Sequence, residues 1–178
     1  MNILVIAGSA RKNGNSETLA DAFIRGAEES GHSVVKLTLH NKKIAPCLDC
    51  RYCYRNAGRC VQRDDMDGVF AALTEAEMVV IASPVYFYGF PAKLKCLFDR
   101  LYSPLRENLR IGSAALLAVC ADSGSETFEP MTAMYKAVLK YFGIEDKGIV
   151  TADRVTGKGD IAGNPKLEEA YLLGRSLK

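Results

Sequence analysis

The chain has 178 residues, of which 48% are hydrophobic and 25% charged, and a formal net charge of +2. These values suit a single globular domain (1–178) with a substantial core, and they exclude nucleic-acid or membrane binding driven by bulk charge. No apolar run is long enough for a membrane helix, and Ile3–Ala7 is too short for a signal-peptide core, so a cytoplasmic protein is expected, its six cysteines serving as thiols or metal ligands rather than disulfides.

In chain order, Asn2–Ala7 is a short apolar run that reads as a buried parallel strand. Gly8–Asn15 is a polar loop. A helix starts near Ser16, places Leu19, Ala20, Phe23 and Ala27 on one face and stops at Gly31. Ser33–Leu39 alternates like a strand. Residues 41–63 form a long irregular segment rich in cysteine, and loops of that length inside a compact domain are usually functional. Asp64 and Asp65 offer caps for a helix over Met66–Thr74.

Met78–Ala82 is the next strand, followed by a loop over Ser83–Gly89 and a helix over Ala92–Tyr102 with Leu94, Leu97, Phe98 and Leu101 on one stripe. Ser113–Ala121 is a buried strand and Phe128–Phe142 an amphipathic helix. A strand over Ile144–Thr151, a glycine-rich stretch over Asp153–Asn164 and a short helix over Pro165–Gly174 complete the chain. Strands alternate with helices throughout, which predicts a three-layer α/β fold around a parallel sheet. In such sheets ligands bind beyond the carboxyl ends of the strands, so three loops are candidates: Gly8–Ser16, Ser83–Gly89 and Ala121–Glu126.

The first loop joins a strand to a helix N-terminus, where free N–H groups and the helix dipole favour phosphate. Ser9, Asn15 and Ser16 supply neutral donors, and Arg11 a charged one. A nucleotide P-loop is excluded, because five residues separate Gly8 from Gly14 and Asn15 stands where lysine belongs; Ala10 breaks the dinucleotide fingerprint. An ordinary strand-to-helix turn remains the alternative. In the second loop, the aromatics of Pro84–Pro91 could lie against a flat ring system, or pack the core or a subunit interface. Cys96 and Cys120 lie in apolar segments and read as core, and Lys93, Lys95, Asp99 and Arg100 read mostly as solvated charges.

Cys47, Cys50, Cys53 and Cys60 follow the spacing C-x2-C-x2-C-x6-C. Four thiolates so close can wrap one metal centre, and four-cysteine ligation is the usual way to hold a cubane iron–sulfur cluster. Zinc, or a redox-sensing loop without metal, are the alternatives.

Residues 6–16, Ser83–Tyr86 and Ala92–Arg100 together resemble the NADPH-dependent FMN reductase group of flavodoxin-like proteins. With the cysteine quartet added, the chain resembles the iron–sulfur flavoprotein branch of that group. The resemblance implies a doubly wound, five-stranded flavodoxin-like sheet that binds FMN. It implies that Ser9, Arg11, Asn15 and Ser16 hold the FMN phosphate, and that Pro84, Val85, Tyr86 and Phe87 line the isoalloxazine, with Asp122 and Ser123 as weaker candidates. It makes Cys47, Cys50, Cys53 and Cys60 ligands of a [4Fe–4S] cluster.

The function so implied is an FMN-dependent oxidoreductase moving electrons between NAD(P)H or a reduced carrier and an acceptor, either a small molecule or a ferredoxin-like protein. A non-enzymatic electron carrier and a flavin-binding redox sensor are the alternatives. A homodimer or homotetramer is implied as well. No acid or base is singled out: neither His32 nor His40 lies in a cofactor loop, and Tyr86 or Tyr88 could donate a hydrogen bond to a substrate.

Overall fold

A computed structural model describes residues 1–178. Its centre is a five-stranded sheet of β1 (Asn2–Ala7), β2 (Ser33–Thr38), β3 (Met78–Pro84), β4 (Ser113–Val119) and β5 (Glu145–Ala152). The spatial order is β2-β1-β3-β4-β5 and every pairing is parallel. This is the flavodoxin-like order, in which chain direction across the sheet reverses between β1 and β3.

Side chains of successive strand residues point to opposite faces, and both faces are covered. On one face Leu4, Ile6, Val79, Ile81, Leu116 and Ala118 pack beneath α3 (Met66–Glu75), α4 (Ala92–Arg100) and α5 (Glu129–Phe142). On the other, Ile3, Val5, Val80, Ala115 and Leu117 pack beneath α1 (Asn15–Glu29) and α6 (Lys166–Arg175). That double coverage explains why β1, β3 and β4 read as unbroken apolar runs rather than alternating ones.

Most expected elements appear within two or three residues of their sequence bounds. The differences are local and physical. The helix expected to reach Tyr102 ends at Arg100, and a 3-10 turn over Pro104–Asn108 follows, with Ser103 Oγ accepting the Leu105 N–H at 3.3 Å. The cysteine segment, expected to be irregular, carries one short helix, α2 (Tyr52–Arg55). Cys120 is buried, and Cys96 packs half-buried against the core, at its rim rather than inside it. Asp64, not Asp65, reaches the start of α3, through the Met66 N–H at 3.1 Å. Asp65 instead accepts the Lys43 N–H at 2.6 Å.

The outer helices α1 and α6 meet at Gly26 and Gly174. A Cβ on Gly26 would stand 2.1 Å from the Tyr171 carbonyl oxygen, and one on Gly174 would stand 2.2 Å from that of Phe23. Only glycine at both positions permits backbone contact. Replacing Gly26 with Ala should therefore force the helices apart and cost on the order of 1–3 kcal/mol, as overpacking does. Chemical denaturation checks this, and an unchanged midpoint would mean that the crossing yields without strain.

Candidate functional site

The register of the sheet brings the three loops together. Ala7 pairs with Ala82, and Pro84 with Val119. The Gly8 N–H donates to the Ala82 carbonyl and the Val85 N–H to that of Val119, both at 2.8 Å. The chains leaving β1, β3 and β4 thus start side by side, about 5 Å apart, the spacing of adjacent strands.

At the first loop, the N–H groups of Ser9, Ala10, Lys12, Gly14, Asn15 and Ser16 have no partner within the chain. Those of Arg11 and Asn13 are bound, to Ser9 Oγ at 3.0 Å and to Glu17 Oε2 at 2.7 Å. Gly14 caps α1 without a side-chain bond, and a Cβ there would press on Ser9 Oγ at 3.2 Å. Ser16 Oγ is buried with no hydrogen-bond partner, although an orphaned buried hydroxyl normally costs about 1–3 kcal/mol. Free donors, an unpartnered hydroxyl and the positive end of a helix of 15 residues fit a phosphate group.

Two candidate side chains in this loop are engaged elsewhere. Asn15 Nδ2 donates to the Gly157 carbonyl at 2.6 Å, and its Oδ1 accepts the Gly159 N–H at 2.8 Å. Arg11 Nη1 donates to the Thr156 carbonyl at 3.0 Å, although Arg11 itself is exposed. Asn15 therefore offers an anion its backbone N–H while its amide fixes the stretch after β5.

The second loop is a tight hairpin. Tyr86 and Gly89 exchange backbone hydrogen bonds at 2.9 and 3.1 Å, and Phe87 and Tyr88 both take left-handed φ values, 48° and 65°. Such turns normally carry Asn or Gly, so two aromatics here store strain. Phe90 is buried, whereas Phe87 is 98% exposed and Tyr86 and Tyr88 are about half exposed. Packing into the core therefore accounts for Phe90 alone. In the third loop, Asp122 and Ser123 are exposed and their N–H groups, with that of Ala121, are free. The Asp122 carbonyl holds the Arg154 N–H at 3.0 Å.

The cysteines stand on the α3–α4 face of the sheet. Cys47, Cys53 and Cys60 line one hollow of about 50 Å³ together with Arg100 and Ser103. Cys50 faces a neighbouring surface beside Arg51, Tyr54 and Arg55. No three Cys, His, Asp or Glu side chains converge on a point that could hold a single metal ion. A cubane differs from a lone ion in that each thiolate binds its own iron, so its ligands need not converge. The donor set therefore suits a cluster, and the small hollow must open to admit one. Left-handed Asp49 and Arg51 flank Cys50, and left-handed Ala57 and Gly58 precede Cys60.

The segment is tied at both ends. Lys43 and Asp65 are joined through the Asp65 N–H to the Lys43 carbonyl at 2.9 Å, besides the carboxylate contact. Ala45 N–H donates to Asp64 Oδ2 at 2.9 Å. Its middle leans on the chain after α4: Ser103 Oγ donates to the Gly58 carbonyl at 3.1 Å, and Tyr54 Oη to that of Tyr102, also at 3.1 Å. Arg100 was expected among solvated charges, yet its side chain is 3% exposed and forms a two-pronged pair with Asp64 at 2.7 and 3.2 Å. Lys93 is likewise engaged, donating to the carbonyls of Leu39 and His40 at 2.9 and 3.1 Å. Lys95 and Asp99 are exposed, as expected of solvated charges, and pair with each other.

The model of the NADPH-dependent FMN reductase family matches residues 1–143. An iron–sulfur flavoprotein of Archaeoglobus fulgidus is 34% identical over 99% of this chain and 79% of its own length. One of Methanosarcina thermophila is 35% identical over 71% of this chain and 68% of its own. Among solved structures, the NAD(P)H:quinone oxidoreductase of Methanothermobacter marburgensis superposes with a TM-score of 0.82 at 20% identity, covering 100% of this chain and 96% of that one.

Burial pushes the Asp64 carboxyl up, but the hydrogen bonds from Arg100, Ala45 and Met66 outweigh it and hold the group below the usual carboxylate range. A carboxyl lowered by folding stabilises the fold above its unfolded value near 3.9, and that contribution is lost as pH falls through the lowered value. The melting temperatures of wild type and Asp64→Asn should therefore differ most above about pH 4 and converge in more acid solution. Parallel curves from pH 6 to 3 would contradict it.

Proposed function

The chain belongs to the NADPH-dependent FMN reductase family, as an FMN-dependent oxidoreductase of its iron–sulfur flavoprotein branch, and from that premise we propose a two-cofactor electron-transfer enzyme. Bound FMN supplies two-electron exchange with a hydride donor and one-electron exchange with a partner, and a [4Fe–4S] cluster passes electrons singly. NAD(P)H or a reduced carrier is the donor. The acceptor is a small molecule or a ferredoxin-like protein.

The observation that carries this reading is the unpartnered Ser16 hydroxyl, buried among free N–H groups at the start of α1. Ser9, Ser16 and the backbone of residues 9–16 hold the FMN phosphate, Arg11 adds charge, and Asn15 contributes its N–H while fixing the 157–159 stretch. Pro84, Val85, Tyr86 and Phe87 line the ring. Their hairpin is closed by its own hydrogen bonds, so its backbone needs no further ordering when a flat ligand arrives. Asp122 and Ser123, with the free N–H groups of the third loop, meet the polar edge of the ring. Cys47, Cys50, Cys53 and Cys60 hold the cluster. The protein works as a homodimer or homotetramer.

Anaerobic purification followed by a visible spectrum and assays of iron, sulfide and FMN tests this. Flavin bands with a broad cluster shoulder and about four irons per chain support it. Flavin without iron reduces the protein to a flavin reductase or a thiol sensor, and the absence of both cofactors refutes the proposal. Ser16→Ala should weaken FMN binding roughly tenfold or more, the loss of one hydrogen bond to a charged group. Arg11→Ala should weaken it as well. FMN fluorescence titration measures both, and unchanged affinities would remove the phosphate from this loop.

A further inference from the structure

The buried guanidinium of Arg100 touches both ends of the cysteine segment. Its Nη1 donates to the Ala45 carbonyl at 3.1 Å, two residues before Cys47, and to Asp64 Oδ2 at 2.7 Å, four residues after Cys60. Asp64 in turn holds the N–H groups of Ala45 and Met66. One side chain on α4 thus links both ends of the segment, beside the Lys43–Asp65 contacts. Lysine could bring the charge but not the fork that engages both ends at once.

Arg100 also lines the hollow shared by Cys47, Cys53 and Cys60. Its Nε–H donates to nothing within the chain. Asp49, Arg51 and Asp67 line the same hollow, but they are exposed and water screens them. At 5% exposure, Arg100 is the charge there that solvent screens least.

We propose that Arg100 is the positioning residue of the cysteine centre: its fork fixes the ends of the segment, and its buried charge beside the thiols raises the reduction potential of the cluster they hold. The inference rests on the cluster reading above. Reduction adds one electron to a thiolate-bound cluster that is already anionic, so a nearby fixed cation stabilises the reduced form more than the oxidised form. Arg100 ends α4, at the far end of the nine-residue helix that follows the second loop, so the flavin potential should move less than that of the cluster.

The test compares wild type, Arg100→Gln, Arg100→Lys and Asp64→Asn, each loaded anaerobically with iron, sulfide and FMN. Potentials are read by mediated dithionite titration, following the cluster by electron paramagnetic resonance and the flavin by absorbance. Arg100→Gln should lower the cluster potential by 59 mV or more, a tenfold change for a one-electron couple. Arg100→Lys should restore most of that shift, while hydrogen exchange over residues 43–66 still quickens because the fork is lost. Asp64→Asn leaves the guanidinium uncompensated and should shift the potential upward. A loosened loop admits water and also raises the potential, so the downward shift in Arg100→Gln is the sign that mere loosening does not produce.

A cluster in Arg100→Gln with the wild-type potential overturns the inference and leaves the cluster reading intact. Wild type that binds no iron overturns both. Should Arg100→Gln fail to fold, Asp64→Asn decides alone, and an unchanged or lower potential there overturns the inference.

Discussion

The rest of the structure depends on one constraint, that β1, β3 and β4 are parallel neighbours. Parallel strands need crossover helices, so every connection leaving a carboxyl end emerges on the same edge. Three of them are adjacent here, and the first and third leave the sheet with several N–H groups unpartnered. Donors that would be a liability inside a domain become an asset at an edge where an anion or a polar ring can meet them. The helix start at Asn15 adds its dipole to the same place.

The cysteine segment obeys a different economy. It has little secondary structure and exposes Leu48, Tyr52, Tyr54 and Val61. What holds it is polar: the Asp64–Arg100 pair, the Lys43–Asp65 exchange, and the contacts of Tyr54 and Gly58 with the chain after α4. A buried ion pair contributes little net stability compared with apolar packing, yet removing one partner strands the other at a cost of about 3–5 kcal/mol. Such a pair specifies an arrangement more than it strengthens one. That suits the proposed role of the segment, in which its cysteines would hold a cluster in one geometry.

Much of this was legible in the sequence, because hydrophobic runs and glycine punctuation are local signals. Strands β1, β3 and β4 declared themselves by being apolar on both faces, and the cysteine quartet by its spacing. Arg100 did not, because its burial depends on Asp64, 36 residues away, and a charge at the end of an amphipathic helix looks the same whether it meets water or a partner. Asn15 was legible as a polar donor at a helix start, but the Gly157 and Gly159 contacts that claim its amide come from the far end of the chain. The strained turn at Phe87 and Tyr88 was hidden for another reason: nothing about two aromatics announces left-handed backbone, and only the surrounding strand ends impose it.

The ties from Arg11 and Asn15 to Thr156, Gly157 and Gly159 have a consequence for biosynthesis. The loop at residues 9–16 leaves the ribosome early, but the stretch that fixes it follows 142 residues later. Until then Asn15 has no carbonyl to hold, and the edge of β4 waits for β5. A nascent chain therefore cannot present a finished pocket until residues 156–159 have emerged and folded back, so the order of synthesis separates the making of the loop from its fixing.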